Sequence, residues 1–479
     1  VRTEALLSPL PDPVDVPAAA VRRAADPASV LVVLDDDPTG TQSVADLPVL
    51  TAWSPGDLAE AMATGAPAIY VLTNSRSLGP ADAERINREI VASALVAGRD
   101  AGRTVTFVSR SDSTLRGHFP LEADVLADAI ARGGGAVPEL TLLVPAFPDA
   151  GRITVDSVHY WDVDGEATPV GETPFAKDST FGFTSSSLLE WVAEKTKGRV
   201  PASQVASLTL ATIRSGPDAV VWFLRDLPAG TSVAVDAACE EDMRVVALAA
   251  HALRERPILF RVGPPYVRAH IGQEIADPLR AEDVGHGGEG GGLVVVGSHV
   301  PLTTRQLKVL RERRPGTTTI ELDVRELVGE GREDHIARSV RAAVDALATG
   351  TVIVHTSREL LTGHDGDESL DIARRISSGV VDLVRRVVDE RRPRFVIAKG
   401  GITSSDVATK ALGIRRATVR GPMLPGIVSL WEPETGPAVG VPYVVFAGNV
   451  GDDDSLAHVV DTLSADAGTT TGRTSEGVH

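Results

Sequence analysis

An apolar run, Val30 to Leu34, is followed at once by Asp35-Asp36-Asp37-Pro38-Thr39-Gly40-Thr41-Gln42. The run has the length and β-branched content of a buried strand. Adjacent acids inside such a strand would carry a severe desolvation penalty, so they are expected just beyond its end. Ligands of open α/β sheets bind outside the carboxyl ends of the strands. A loop with three carboxylates there can receive hydroxyl groups, a metal ion, or both. The plainer alternative is an acidic turn followed by a helix cap.

Three more loops carry the same kind of chemistry. Ala68–Leu72 leads into Thr73-Asn74-Ser75-Arg76-Ser77, and Thr104–Val108 into Ser109-Arg110-Ser111-Asp112-Ser113-Thr114-Leu115-Arg116-Gly117. Leu140–Val144 leads into Pro145-Ala146-Phe147-Pro148-Asp149-Ala150-Gly151-Arg152. Strands alternating with helices imply a parallel sheet, whose strand tips point one way. The four loops are therefore expected at one edge, where Asp36, Asp37 and Asp112 would meet Arg76, Arg110 and Arg116. A helix is expected from about Ala81, with Asp82 and Glu84 favourable in its first turn.

Further strands are expected at Ala219–Phe223, Ser232–Val235 and Pro257–Val262, with Trp222-Phe223-Leu224 in the core. Gly285 to Gly292 reads as a flexible linker and places a domain boundary there. Its nominal Gly-x-Gly-x-x-Gly lacks an adjoining strand and helix, which disfavours a phosphate loop and a dehydrogenase. The α/β pattern then restarts: Leu293–Val296 runs into Gly297-Ser298-His299, and a helix is expected near Thr303. Thr351–Val354 runs into His355-Thr356-Ser357-Arg358. Arg394–Ala398 runs into Lys399-Gly400-Gly401-Ile402-Thr403-Ser404-Ser405-Asp406, with a helix over Val407–Leu412. Paired glycines before a helix start can cradle an anion. A tight turn capped by Ser404 or Ser405 is the structural alternative. A last strand, Val441–Val445, precedes Phe446-Ala447-Gly448-Asn449-Val450-Gly451.

Composition narrows the class. At 479 residues the chain exceeds the size of one core, so two domains are expected. A net charge of −18 disfavours nucleic acid as a partner. The single cysteine, Cys239, leaves no intramolecular disulfide and fits a cytoplasmic protein. No run is suited to a membrane span. Residues 1–28 read as an ordinary extension. His118, His299 and His355 read as hydrogen-bonded loop groups, and Glu476 with His479 as a polar chain end. No metal ligand set is evident, and no nucleophile elbow supports a serine hydrolase.

The ordered set of motifs resembles the four-carbon acid sugar kinase family. It is carried by Asp36-Asp37-Pro38-Thr39-Gly40, Asp112-Ser113-Thr114-Leu115-Arg116-Gly117, Pro145-Ala146-Phe147-Pro148 with Gly151-Arg152, Gly297-Ser298, Gly400-Gly401-Ile402-Thr403 and Pro425-Gly426. The resemblance implies two α/β domains, each a mostly parallel sheet flanked by helices. Residues 29–284 would bind the sugar acid and 293–479 the nucleotide, joined by 285–292, with the active site in the cleft between. It places Asp36 or Asp37, Arg76, Arg110, Ser111, Asp112 and Ser113 at the sugar acid. It places Ser298, Gly400, Gly401, Ile402, Thr403, Gly448 and Asn449 at ATP. Two positions depart from the family pattern: Phe446 stands where a lysine is usual, leaving Lys399 or an arginine as substitute, and Arg110-Ser111 replace a lysine and an apolar residue.

The implied reaction is ATP-dependent phosphorylation of the terminal hydroxyl of a threonate-, erythronate- or 3-oxo-tetronate-type acid. Arg76 and Arg110 would grip the carboxylate through bidentate bonds. Asp36, Asp37 and Asp112 would orient hydroxyls, with Asp37 slightly favoured over Asp112 as base. Asp35, nearest the strand, is expected to be structural. Mg²⁺ would be held mainly by phosphates and water. A non-catalytic sugar-acid or nucleotide sensor is the alternative, and a homodimer is compatible with either.

Overall fold

The computed structural model describes residues 1–358, 361 and 366–465. Glu476 and His479 lie outside the described residues. The chain divides into two compact units, Val1–Asp277 with Arg415–Ser429, and Pro278–Ile414 with the remainder from Leu430. The first unit thus takes back a segment, 415–429, that the sequence pattern assigns to the second domain.

Strands of the first unit are β1 (Ser29–Asp35), β2 (Leu47–Leu50), β3 (Ala68–Leu72), β4 (Thr104–Arg110), β5 (Leu140–Val144), β6 (Arg152–Val155), β7 (Val158–Val163), β8 (Glu166–Pro169), β9 (Ala206–Leu208), β10 (Thr231–Val235) and β11 (Ile258–Val262). Those of the second are β12 (Leu293–Val296), β13 (Thr318–Leu322), β14 (Val352–Thr356) and β15 (Val396–Lys399). Then come β16 (Arg416–Leu424), β17 (Ile427–Pro433), along which the chain leaves the first unit, and β18 (Tyr443–Phe446).

In the first unit the order is β16-β2-β3-β1-β4-β11-β5-β10-β9. All neighbours are parallel except β16 against β2. A separate antiparallel sheet, β6-β7-β8, projects after β5. Successive connections from β1 go first toward β3 and then to β4 on its other side. Strand order therefore reverses at β1/β4, and the loops after these two strands diverge to leave a crevice. The second unit repeats the device with five parallel strands, β13-β14-β12-β15-β18, reversing at β12/β15. Helices Pro55–Ala63, Pro80–Ala101 and Leu121–Arg132 pack their apolar stripes on β1, β3 and β4 through Leu58, Met62, Ile90, Ala94 and Leu126. Strands such as β3 are buried along their whole length, as parallel strands covered on both faces must be.

Three expectations need correction. Residues 217–225 form a helix rather than a strand, opened by Gly216-Pro217 with Asp218 in its first turn. A short apolar run does not separate the two forms. Helical spacing turns Val220 and Leu224 inward and leaves Trp222 exposed rather than in the core. The glycine-rich segment is packed rather than a free linker. The Gly287 and Gly291 N–H groups donate to Arg394 and Leu347 carbonyls, and a Cβ on Gly288 would meet the Arg392 carbonyl at 2.3 Å. The N-terminal segment, read as an ordinary extension, is tied to the first unit: the helix Ala18–Ala24 buries Ala18 and Val21, and Arg22 donates to the Gly272 carbonyl.

Asp35 is the last residue of β1, not the first beyond it, and faces Arg110 in register at the end of β4. Both are almost fully buried, and the Arg110 guanidinium donates to Asp35, to Asp36 Oδ1 at 3.0 Å and to the Asp37 carbonyl at 2.9 Å. Desolvation still pushes the Asp35 carboxyl up to about 7. Gly40 lies flat against this pair, where a Cβ would sit 2.2 Å from Arg110 Nε. Gly40→Ala is therefore expected to destabilise the first unit by about 1–3 kcal/mol through overpacking. Urea denaturation of the variant would show it, and an unshifted midpoint would mean that the pair can move aside.

Candidate functional site

The crevice at β1/β4 is built by two short turns. Asp37 caps the turn Pro38–Ser43, its Oδ1 accepting from the Thr39 N–H at 2.9 Å and the Thr39 hydroxyl at 2.6 Å. That capping role explains the Asp-Pro-Thr order: acceptor, fixed φ, donor. Asp37 Oδ2 is left to receive Arg76 Nη2 at 2.6 Å. Arg76 lies on the turn Ser75–Ser77 after β3 and also reaches Asp112 Oδ1 at 3.1 Å and Asp36 Oδ2 at 3.9 Å. Asp112, after β4, accepts from Arg116 Nε at 2.7 Å and from the Thr114 hydroxyl. Arg116 in turn approaches Asp178 at 3.6 Å and stands over the Phe175 ring.

Electrostatics follow from this lattice. Burial opposes ionisation of Asp112, but Arg116 and Arg76 overcome it and hold the carboxyl far below the usual range. Arg76 and Thr39 likewise outweigh burial at Asp37. Both acids are firmly ionised and so are weak bases. Arg76, opposed by desolvation but held by Asp36, Asp37 and Asp112, stays charged.

The proposed sugar-acid residues thus fall into two groups. Asp37, Asp112 and Arg76 keep part of their side chains accessible, at 18, 12 and 17 %. Asp36, Arg110 and Ser111 are each at most 2 % exposed, and Ser113 is also buried. Arg110 is therefore unable to grip a substrate carboxylate, because its donors are spent on the Asp35–Asp37 segment and the Ser111 carbonyl. Asp36 Oδ2 is buried without a hydrogen-bond partner, 3.9 Å from Arg76.

Two residues were not singled out from sequence. Arg152, at the start of β6, is grouped with Trp161, Phe175 and, electrostatically, Asp112 and Arg116. Burial lowers its pKa, its Nε is unpaired, and no carboxylate among the described residues forms an ion pair with it. Its Nη1 donates to the Ala150 carbonyl, which leaves donors to spare; Arg261, buried with an unpaired Nε of its own, is the other such guanidinium here. The place of Arg152 in Gly151-Arg152 was the only sequence signal. His159 on β7 is buried and bonds the Ser113 carbonyl at 2.7 Å through Nε2 and the Thr154 hydroxyl at 2.9 Å through Nδ1. A carbonyl only accepts, so Nε2 carries the proton and the hydroxyl donates to Nδ1. His118 similarly ties the Arg76 turn, with Nε2 3.0 Å from the Ser75 and Leu78 carbonyls.

In the second unit the loops after β12, β15 and β18 converge. Gly400 stands at φ +124° as the N-cap of a helix that starts at Gly401 and continues through Ala411. Neither Ser404 nor Ser405 caps it; Ser404 donates instead to the Ala398 carbonyl. The first N–H groups, those of Gly401, Ile402 and Thr403, have no partner within the helix. A Cβ on Gly448 would lie 2.5 Å from Ser298 Oγ, and one on Gly297 2.1 Å from Thr403 Oγ1. Thr303 binds the Gly448 carbonyl at 2.8 Å, and Gln306 binds those of Val450 and Asp452, which pins the 447–452 loop. Arg358 donates to the Ser298 carbonyl at 2.6 Å, and Ile402 and Val300 expose apolar surface beside the glycines. Asn449 lies on the same loop.

The comparisons agree with two functional halves. A sugar-binding N-terminal domain model matches residues 31–270, and a nucleotide-binding C-terminal domain model matches residues 293–456. A D-erythronate kinase of Heliobacterium modesticaldum is 27% identical over 418 residues, covering 82% of this chain and 87% of the relative. A 3-oxo-isoapionate kinase of Paraburkholderia graminis is 30% identical over 171 residues, 33% of this chain and 36% of the relative. A solved structure from Haemophilus influenzae shares the fold with a TM-score of 0.61 at 16% identity, covering 90% of this chain and all of that one. One from Salmonella typhimurium LT2 has a TM-score of 0.66 at 18%, covering 89 and 98%.

His159 gives this half of the molecule an acid sensitivity. Burial lowers its pKa from 6.5 to about 4. The unfolded chain therefore binds the extra proton first, and stability falls as pH drops from about 6.5 to 4, by about 3 kcal/mol. Denaturation across that range should show the loss in the wild type and a shallower slope in His159→Gln; equal slopes would contradict it.

Proposed function

Because this chain belongs to the four-carbon acid sugar kinase family, we propose that it transfers the γ-phosphoryl group of ATP to the terminal hydroxyl of a four-carbon sugar acid. One observation carries the reading: the chain has two switch points of opposite chemistry. The first gathers carboxylates and guanidiniums suited to a hydroxylated acid. The second offers bare glycine backbone and two basic side chains, Lys399 and Arg358, with no acid partner among the described residues, suited to phosphates. The erythronate- and isoapionate-kinase names of the relatives support a sugar acid as acceptor.

At the first site, Asp37 and Asp112 accept hydrogen bonds from the acceptor's hydroxyls and fix its orientation. Arg76 neutralises these acids so that they can lie side by side. Arg152, with unspent donors, takes the substrate carboxylate in place of Arg110. At the second site, Ser298, Gly400 to Thr403 and Gly448 with Asn449 hold the nucleotide, their backbone meeting phosphate oxygens. Among the described residues no cluster of three or more His, Cys, Asp or Glu side chains is arranged to hold a metal ion. Mg²⁺ arriving with ATP would be held chiefly by the phosphates and would neutralise their charge.

ADP release from Mg²⁺ and ATP, measured over threonate, erythronate and 3-oxo-tetronates, tests the reaction. Turnover with at least one acid is expected. Nucleotide binding with no turnover on any acid would favour the sensor. Arg152→Ala should raise KM for the acid about tenfold or more with little change in ATP affinity. Gly401→Val should do the reverse, since a branched side chain blocks approach to phosphate. Equal effects on both ligands would contradict the division of labour.

A further inference from the structure

Lys399 ends β15, immediately before Gly400, and is wholly buried. Its Nζ donates to the Ala447 carbonyl at 2.6 Å and lies 3.8 Å from the centre of the Phe446 ring. Phe446 is its register partner across β15/β18. No acid among the described residues pairs with it. Titratable groups on the neighbouring elements are engaged elsewhere. Asp406 is bonded by Lys410 and Ser377, Tyr443 donates to the Ser404 carbonyl, and Arg358 is bound to Ser298 and Thr304. His299 acts on none of these contacts, and its own pKa is lowered by burial and by Arg358.

A buried amine with one carbonyl and one ring for company has no structural need of a charge, and a methionine would fill the space. Desolvation alone brings its pKa down to about 6. Its backbone explains its placement: the Lys399 carbonyl receives the Gly297 and Ser298 N–H groups, and its Nζ holds the carbonyl just before Gly448. All three glycine loops therefore meet at this residue.

We propose that Lys399 is a proton-coupled counter-charge for the nucleotide phosphates: uncharged in the empty domain, it takes a proton from solvent when a phosphate seats on the surrounding glycine loops. The inference rests on the assignment of nucleotide to this site. An anion brought within a few ångströms in a low-dielectric setting favours the ammonium form. The bound state then holds an ion pair that the empty state does not, and affinity rises as pH falls toward 6.

Isothermal titration of the full chain with ADP at pH 7.5, in buffers of different ionisation enthalpy, counts the protons. Wild type is expected to take up about one proton per ADP. Lys399→Met is expected to take up none and to bind about 30-fold or more weakly. Its melting temperature without ligand should be higher than that of wild type, because the cost of burying the amine is gone. A merely structural lysine would lower both affinity and melting temperature and leave the proton count unchanged. ADP binding to wild type without uptake, or with uptake retained in Lys399→Met, overturns the counter-charge and leaves the nucleotide site standing. Absence of ADP binding to wild type overturns both.

Discussion

The first unit is organised around one buried contact, the Asp35–Arg110 pair that closes β1 against β4. Parallel strands at a reversal of order have loops that part company, and something must hold their tips together while the crevice opens. Here an acid and a guanidinium do so inside the sheet, at the last residue of each strand. Breaking such a pair from one side costs about 3–5 kcal/mol, because the other charge is stranded. Gly40 must be bare for the turn after β1 to lie over it, and the Asp37 carbonyl receives Arg110 from that same turn. The positions of Asp36 and Asp37 are consequences of this closure.

The same topology, used twice, yields opposite electrostatics because different residues follow the strands. At β1/β4 the acids are interleaved with Arg76 and Arg116, a lattice that holds Asp37 and Asp112 ionised. At β12/β15 the loops are glycine and hydroxyl residues, and the nearby Lys399 amine and Arg358 guanidinium bond carbonyls, with no acid partner among the described residues. A site for a hydroxylated acid needs acceptors and a spare guanidinium. A site for phosphate needs close backbone and unneutralised positive charge.

Much of this was legible in the sequence, for identifiable reasons. β3, β5 and β12 were read with the bounds they have, because buried parallel strands are continuous apolar runs and polar loops mark their ends. The structural role of Asp35 was also readable from its nearness to the strand. What failed was anything set by partners distant in sequence. Arg110 looked like a substrate ligand because its contact with Asp35 spans 75 residues. Arg152 entered only within the Gly151-Arg152 motif, because its want of an acid partner among the described residues is something no pattern displays. His159 lies in a small antiparallel sheet, and its bond to the Ser113 carbonyl spans 46 residues. The segment 217–225 was ambiguous for a different reason, since apolar runs of that length fit either period.

The depressed acids bear on how a phosphoryl transfer would proceed here. A base is most effective with a pKa near the working pH, and neither Asp37 nor Asp112 meets that condition. In a loose transition state the attacking hydroxyl loses its proton late, so little is gained from a strong base. What matters more is that the hydroxyl is held in line and that charge is compensated. Asp37, fixed by Thr39 and Arg76, and Asp112, fixed by Thr114, Arg116 and Arg76, cannot rotate without breaking several bonds each. Such acids are poor at taking protons and good at holding a hydroxyl still. The lattice that lowers their basicity is the same one that gives them a single orientation, and for this chemistry the second property counts for more.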